Sequence, residues 1–157
     1  MSELAHRKGL HRLVYASAFG AALPASVSDQ DHEIGEIIRA SIRNNREVAI
    51  TGLLLVREPW FVQVLEGPAE AVTATYQRIA NDPRHRDIAV IESGPAPARQ
   101  FSDWNMCARR ISPADDAILA RLALSEAMLG SLTAAQALAL LLHVRDLQAQ
   151  ATADPFG

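Results

Sequence analysis

Apolar and polar residues alternate from Leu10 to Ser17 (LHRLVYAS), with Leu13, Tyr15 and Ser17 on one face and Arg12, Val14 and Ala16 on the other. A period of two marks a strand. After a loop through Gly20, Pro24 and Ser26, Ile34, Ile37, Ile38 and Ile42 recur at helical spacing behind a cap at Ser28 or Asp29. This helix is expected to stop near Asn44 and Asn45, because Asn tolerates the left-handed conformation of helix ends. Ala49–Val56 (AITGLLLV) and Trp60–Glu66 (WFVQVLE) are apolar runs joined by Arg57, Glu58 and Pro59, which predicts a hairpin. Gly67 and Pro68 open a second helix with Val72, Tyr76 and Ile79 on one stripe, ending between Asn81 and Arg84. Asp87–Ser93 (DIAVIES) is a fourth strand and Ser102–Arg109 a fifth, after a Pro-rich link at Gly94–Pro97.

Beyond Ile111 the chain turns Ala- and Leu-rich. Ser112-Pro113 opens one helix that Gly130 closes, and Thr133–Gln136 has the form of a capping box for another. The order βαββαβ, one more strand and two helices predicts an α+β, ferredoxin-like sandwich with a fifth strand and two C-terminal helices. Such a sheet carries its helices on one face and leaves the other to be covered. The C-terminal pair, with Leu119, Leu122, Leu129, Leu138, Leu141 and Leu142, is the candidate cover. These leucines exceed what a thin appendage would hide, which argues for a homo-oligomer or a partner groove. The expected division is an extension at 1–9, a domain at 10–111, a helical appendage at 112–150 and a frayed tail at 151–157.

Composition narrows the function classes. At 157 residues, 49% hydrophobic, the chain has the size of one domain. A formal charge of −3 offers no basic surface for nucleic-acid phosphates. No apolar run approaches the roughly 18 residues of a membrane span. The single cysteine, Cys107, permits no internal disulfide, so a cytoplasmic location is expected. His6, His11, His32, His85 and His143 lack the paired spacing of a metal site.

The informative residues are polar ones inside core-like segments. Gln63 shares a face with Phe61 and Leu65, and a buried amide costs a few kcal/mol unless it finds partners. Tyr15 needs an acceptor for the same reason, and strands one and three are neighbours in the ferredoxin-like order. Taken singly, each position has a plainer explanation: a structural Tyr–Gln pair, a helix stop at Asn44-Asn45, core isoleucines at Ile37 and Ile79, a solvated helix end at Arg78, Asp82, Arg84 and His85. Taken jointly, they describe a slot for a flat heteroaromatic ring such as an isoalloxazine, with amides for its imide edge and aliphatic clamps for its faces.

Six segments carry a family resemblance: LVYASA (13–18), ASIRNN (40–45), ITGLLL (50–55), FVQVLEGP (61–68), IANDPRH (79–85) and FSDWNM (101–106). Over Leu10–Arg110 the chain resembles a BLUF domain, the flavin-based sensor of blue light. The resemblance implies a noncovalent FAD, with FMN or riboflavin as alternatives, Tyr15 as photochemical electron and proton donor, and Gln63 as the switching amide. It implies that Asn45, with Asn44 beside it, holds the pyrimidine edge and that Ile37 and Ile79 sandwich the ring. Arg78, Asp82, Arg84 and His85 resemble residues of the ribityl and phosphate side. Ser41, Trp104 and Met106 resemble residues that couple the amide to the fifth strand. The segment between Ser17 and the first helix (AFGAALPASVSDQDHE) is longer than the family pattern.

The function implied is a non-enzymatic photoreceptor that signals to a downstream protein partner through strand five and the C-terminal helices, without nucleic acid or membrane. The rivals are a flavin-dependent oxidoreductase and a ferredoxin-like interaction module without a chromophore.

Overall fold

The computed structural model describes residues 9–102 and 106–150. Five strands, β1 (Leu10–Phe19), β2 (Thr51–Arg57), β3 (Trp60–Pro68), β4 (His85–Pro95) and β5 (Cys107–Arg110), form one sheet in the order β4-β1-β3-β2-β5. All neighbours are antiparallel except β2 and β5. Helices α1 (Val27–Glu47) and α2 (Ala69–Ala80) connect β1 to β2 and β3 to β4. Helices α3 (Ala117–Ala120) and α4 (Ala134–Gln150) follow β5. The architecture is the expected α+β one, with two helices after the fifth strand.

The period of two divides the central strands between two cores. Leu13, Tyr15, Phe61 and Leu65 pack with Ile34 and Ile38 of α1 and Val72 of α2, while Val14, Ala16, Val62 and Val64 face Leu140, Leu141 and Val144 of α4. All six cover leucines are used here: Leu119, Leu129 and Leu141 are buried, and Leu122, Leu138 and Leu142 pack against the same core. Each fully buried leucine contributes about 1.5–3 kcal/mol. The surplus that argued for an oligomer is therefore absorbed by the sheet, and among the described residues the exposed large hydrophobics are Val48 and Val90.

Several boundaries differ from the sequence-based expectation, each for a local reason. Strand β1 continues through Phe19, whose N–H donates to Pro59 O (2.7 Å), and α1 begins at Val27 behind Ser26, whose Oγ accepts from Asp29 N (3.2 Å). The long connecting segment shrinks to residues 20–26. Gly20 is required there, because a Cβ would lie 2.1 Å from Pro83 O. At its other end α1 runs past Asn44 and Asn45 to Glu47, and Ala49 takes the left-handed conformation at φ 59°. The asparagines are thus inside the helix. Strand β4 starts at His85 and β5 at Cys107, with Met106 just before it. The first C-terminal helix is confined to Ala117–Ala120, flanked by single 3-10 turns at Pro113–Asp115 and Glu126–Met128, and Ala123 at φ 58° interrupts the run. The capping box forms as expected: Thr133 N donates to Gln136 Oε1 (2.9 Å) and Gln136 N to Thr133 Oγ1 (3.2 Å).

Candidate functional site

Antiparallel pairing of β1 with β3 sets Tyr15 opposite Gln63, both pointing to the α1/α2 face. Tyr15 is wholly buried, and its hydroxyl donates to Gln63 Oε1. Gln63 Nε2 donates in turn to Met106 Sδ at 3.2 Å. A thioether is a weak acceptor, so the amide keeps donor capacity for a further partner. Burial pushes the Tyr15 phenol well above its usual pKa, and the charges of Tyr76 and Asp82 act in the same direction. The phenol therefore holds its proton. The rings of Tyr76 and His85 stand edge-on to it at 5.9 and 6.0 Å.

Above this floor lies a cleft of about 630 Å³, mouth included. One face of α1 contributes Ile37, Ser41 and Asn45, spaced by four, and α2 contributes Thr75, Arg78 and Ile79. The turn after α2 adds Asp82, Arg84 and His85. Asn45 is 1% exposed. Asn44 was expected beside it: one helical step, about 100°, turns it away, and it is exposed and outside the lining. Trp104 lies outside the described residues. Four lining residues escaped the sequence reading: Ala40, Leu54, Leu65 and Thr75. Thr75 was findable as a polar residue between Val72 and Ile79 on the buried stripe, whereas Ala40 and the leucines carry no signal apart from packing.

At the mouth, Arg84 grips Asp82 (2.5–3.0 Å) and reaches Glu33 of α1 at 2.9 Å. Burial opposes ionisation of Asp82, but the Arg84 hydrogen bonds outweigh it and hold the carboxyl below its usual range. His85 was expected beside Arg84 at the phosphate end. As the first residue of β4 it lines the same cleft as Arg84 and turns its ring inward, 4.7 Å from that of Phe61 and with Nδ1 2.8 Å from Ser17 Oγ. Burial, reinforced by Arg84 and opposed by Asp82, lowers its pKa to about 4, so the imidazole is neutral near pH 7.

The donor set fits a flavin. Two amides, Asn45 and Gln63, each offer a donor and an acceptor to a ring edge of alternating N–H and C=O groups, Ile37 and Ile79 line the same cleft as apolar walls, and Arg78 supplies a cation near the mouth.

Comparison with known proteins agrees with this geometry. A family model described as "BLUF: Sensors of blue-light using FAD" matches residues 10–107. The photoactivated adenylate cyclase subunit beta of Euglena longa is 34% identical over 97 residues, 62% of this chain and 11% of that protein. The blue light- and temperature-regulated antirepressor BluF of Escherichia coli (strain K12) is 39% identical over 74 residues, 47% of this chain and 18% of that protein. This chain thus spans between a tenth and a fifth of the length of these two relatives. The dark-state structure of BlrB, a BLUF protein, matches with a TM-score of 0.68 and 30% identity, covering 91% of this chain and 98% of BlrB.

Proposed function

The chain belongs to the BLUF family, the sensors of blue light using FAD, and from that premise we propose that Tyr15 and Gln63 perform its photochemistry and that Met106 receives the result. The observation that carries the proposal is the buried chain from the Tyr15 hydroxyl through the Gln63 amide to Met106 Sδ, at the floor of a cleft lined by Asn45, Ile37 and Ile79. When bound, FAD supplies the blue absorption and an excited ring that accepts an electron. Tyr15 would give up an electron and its proton together, because losing either alone would strand a charge on a wholly buried side chain, a radical cation in one case and a phenolate in the other. Gln63 passes the proton on. Electron and proton return to Tyr15, so the net redox change is nil. What persists is a Gln63 amide with altered hydrogen bonds, and a stronger bond from it to the ring edge shifts absorption to the red. Asn45 holds that edge in place, and Ile37 and Ile79 fix the ring plane.

We read residues 10–111 as the sensing unit and 112–150 as the helical cover that passes its state to a protein partner, without an enzymatic step of its own. Supporting this division, the match to BlrB extends along nearly the whole of that protein, whereas the cyclase match is confined to a tenth of its length. A cytoplasmic setting accords with a single cysteine and with the lack, among the described residues, of any helix long and apolar enough to cross a membrane.

The test is an absorption spectrum of FAD-loaded protein before, during and after blue light. A small red shift that reverts in the dark is expected. Colourless protein that also fails to bind added FAD would overturn the reading, and bleaching that depends on an added substrate would favour an oxidoreductase.

A further inference from the structure

We propose that Glu33 is a specificity-determining residue that restrains the preference of the cleft for phosphorylated flavins over riboflavin. The inference deepens the proposed function and rests on a flavin occupying the cleft. Glu33 precedes Ile37 by four positions, as Ile37 precedes Ser41 and Ser41 precedes Asn45, so it heads the same row on α1. At 1.5 Å per residue that row runs about 18 Å, from the buried Asn45 to the open end. There an outer recess continues the cleft: Arg78, Asp82 and Arg84 line both, and Ala22, Glu33 and Pro83 line the recess alone. Two backbone hydrogen bonds fasten the loop after β1 to this rim, Gly20 N donating to Arg84 O (2.9 Å) and Ala22 N to Pro83 O (3.3 Å).

Riboflavin and FMN share ring and ribityl chain and differ by one phosphate, so the ratio of their affinities reports on groups that sense that charge. The recess carries two cations and two carboxylates. Arg78 has no ion-pair partner among the described residues, and its Nη2 lies 3.4 Å from Thr75 Oγ1. Arg84 is already committed, to Asp82 at 2.5–3.0 Å and to Glu33 Oε1, which accepts from its Nη1 at 2.9 Å. The two carboxylates differ in what they shape. Asp82 Oδ1 also accepts from Arg84 N (2.9 Å) and so builds the turn, whereas the side chain of Glu33 is 36% exposed and bonds, among the described residues, to Arg84 alone. A carboxylate that builds no backbone structure and stands where an anionic tail must leave acts on that tail in two ways. It repels the phosphate directly, and it occupies the guanidinium that would otherwise attract it. Glu33 thus brings the recess close to neutrality.

The experiment titrates the flavin-free full chain with riboflavin and with FMN, following flavin fluorescence in the dark, for wild type, Glu33→Gln and Glu33→Lys. The readout is the ratio of the two dissociation constants, so any effect on ring binding common to both ligands cancels. At low ionic strength Glu33→Gln should shift the ratio toward FMN by about two- to fivefold, the worth of one half-exposed ion pair. Glu33→Lys should shift it further in the same direction. At about 1 M salt, where charges are screened beyond about 3 Å, both gains should vanish. A wild-type ratio in Glu33→Gln protein that binds both flavins overturns the proposal, as does a gain that survives the salt. If Glu33→Gln folds poorly, a wild-type ratio in Glu33→Lys overturns it equally. Wild-type protein that binds neither flavin fails differently: it removes the flavin premise itself, and this specificity with it.

Discussion

Lowering the pH from 7 to 5 should cost the protein about 2 kcal/mol of stability through His85 alone. In the folded chain this imidazole titrates at about 4 instead of 6.5, chiefly because burial against Phe61 and Tyr15 disfavours the cation, with Arg84 adding to that and Asp82 opposing it. The unfolded chain takes up a proton as pH falls through 6.5, and the folded chain does not until about 4. The contribution is therefore complete above 6.5 and lost progressively below, at about 1.4 kcal/mol per pH unit, reaching about 2 kcal/mol by pH 5. Against a typical total of 5–15 kcal/mol that loss is easily measured. The shifted carboxylates do not confuse this window: Asp82, Asp116 and Glu36 are lowered, so what they add is lost only as pH falls further. Urea denaturation at pH 7, 6, 5.5 and 5 should be run on wild type and on His85→Gln, which keeps a partner for Ser17 Oγ but does not titrate. The readout is the pH slope, so a pH-independent change in flavin affinity cancels. Parallel slopes in the two proteins, agreeing within about 0.5 kcal/mol over the range, would refute the assignment.

Other substitutions probe the cleft and the cover. Tyr15→Phe and Gln63→Leu should each retain the flavin but lose the reversible red shift in a light–dark spectrum. Tyr15→Phe should also cost about 1–3 kcal/mol in denaturation because it strips the partner from Gln63 Oε1. Asn45→Ala should weaken FAD binding about tenfold, the equivalent of one lost hydrogen bond at the ring edge, measured by fluorescence titration of free flavin. Gly130→Ala should lower Tm by several degrees in a thermal scan, since its Cβ would lie 2.6 Å from the Trp60 ring, whose Nε1 is fixed to Glu126 Oε1 at 2.9 Å.

Those parts of the fold governed by local periodicity were legible in advance. The alternation through Tyr15 and Gln63, plus the usual strand order, sufficed to place the two side chains together, and the Thr133–Gln136 box formed between the residues that announce it. Helical phase was the neglected signal in α1: Ile37, Ser41 and Asn45 lie four apart, so Asn45 follows the cleft and Asn44 cannot. Counting the Asn pair as a helix stop ended the helix early, because the left-handed residue is Ala49, which nothing in its type predicts. Ala123 misleads in the same way within the C-terminal region. The turn of His85 toward Tyr15 depends on the pairing of β4 with β1, where it lies opposite Phe19, a long-range fact that no local pattern encodes.

Strands β1 and β3 are one wall between two rooms, and whatever occupies either room is felt by both. Because α4 holds Val14, Ala16, Val62 and Val64 on one side while Tyr15 and Gln63 serve the cleft on the other, the docking of α4 and the floor of the cleft rest on the same two strands. Linkage is reciprocal. If the lit state changes how firmly α4 sits, a protein that competes for α4 must shift the balance between lit and dark states by the same free energy in return. Under the proposed function a partner would then regulate the light response as well as read it, and the response of the isolated chain would be one limit of a range set by the partner's concentration.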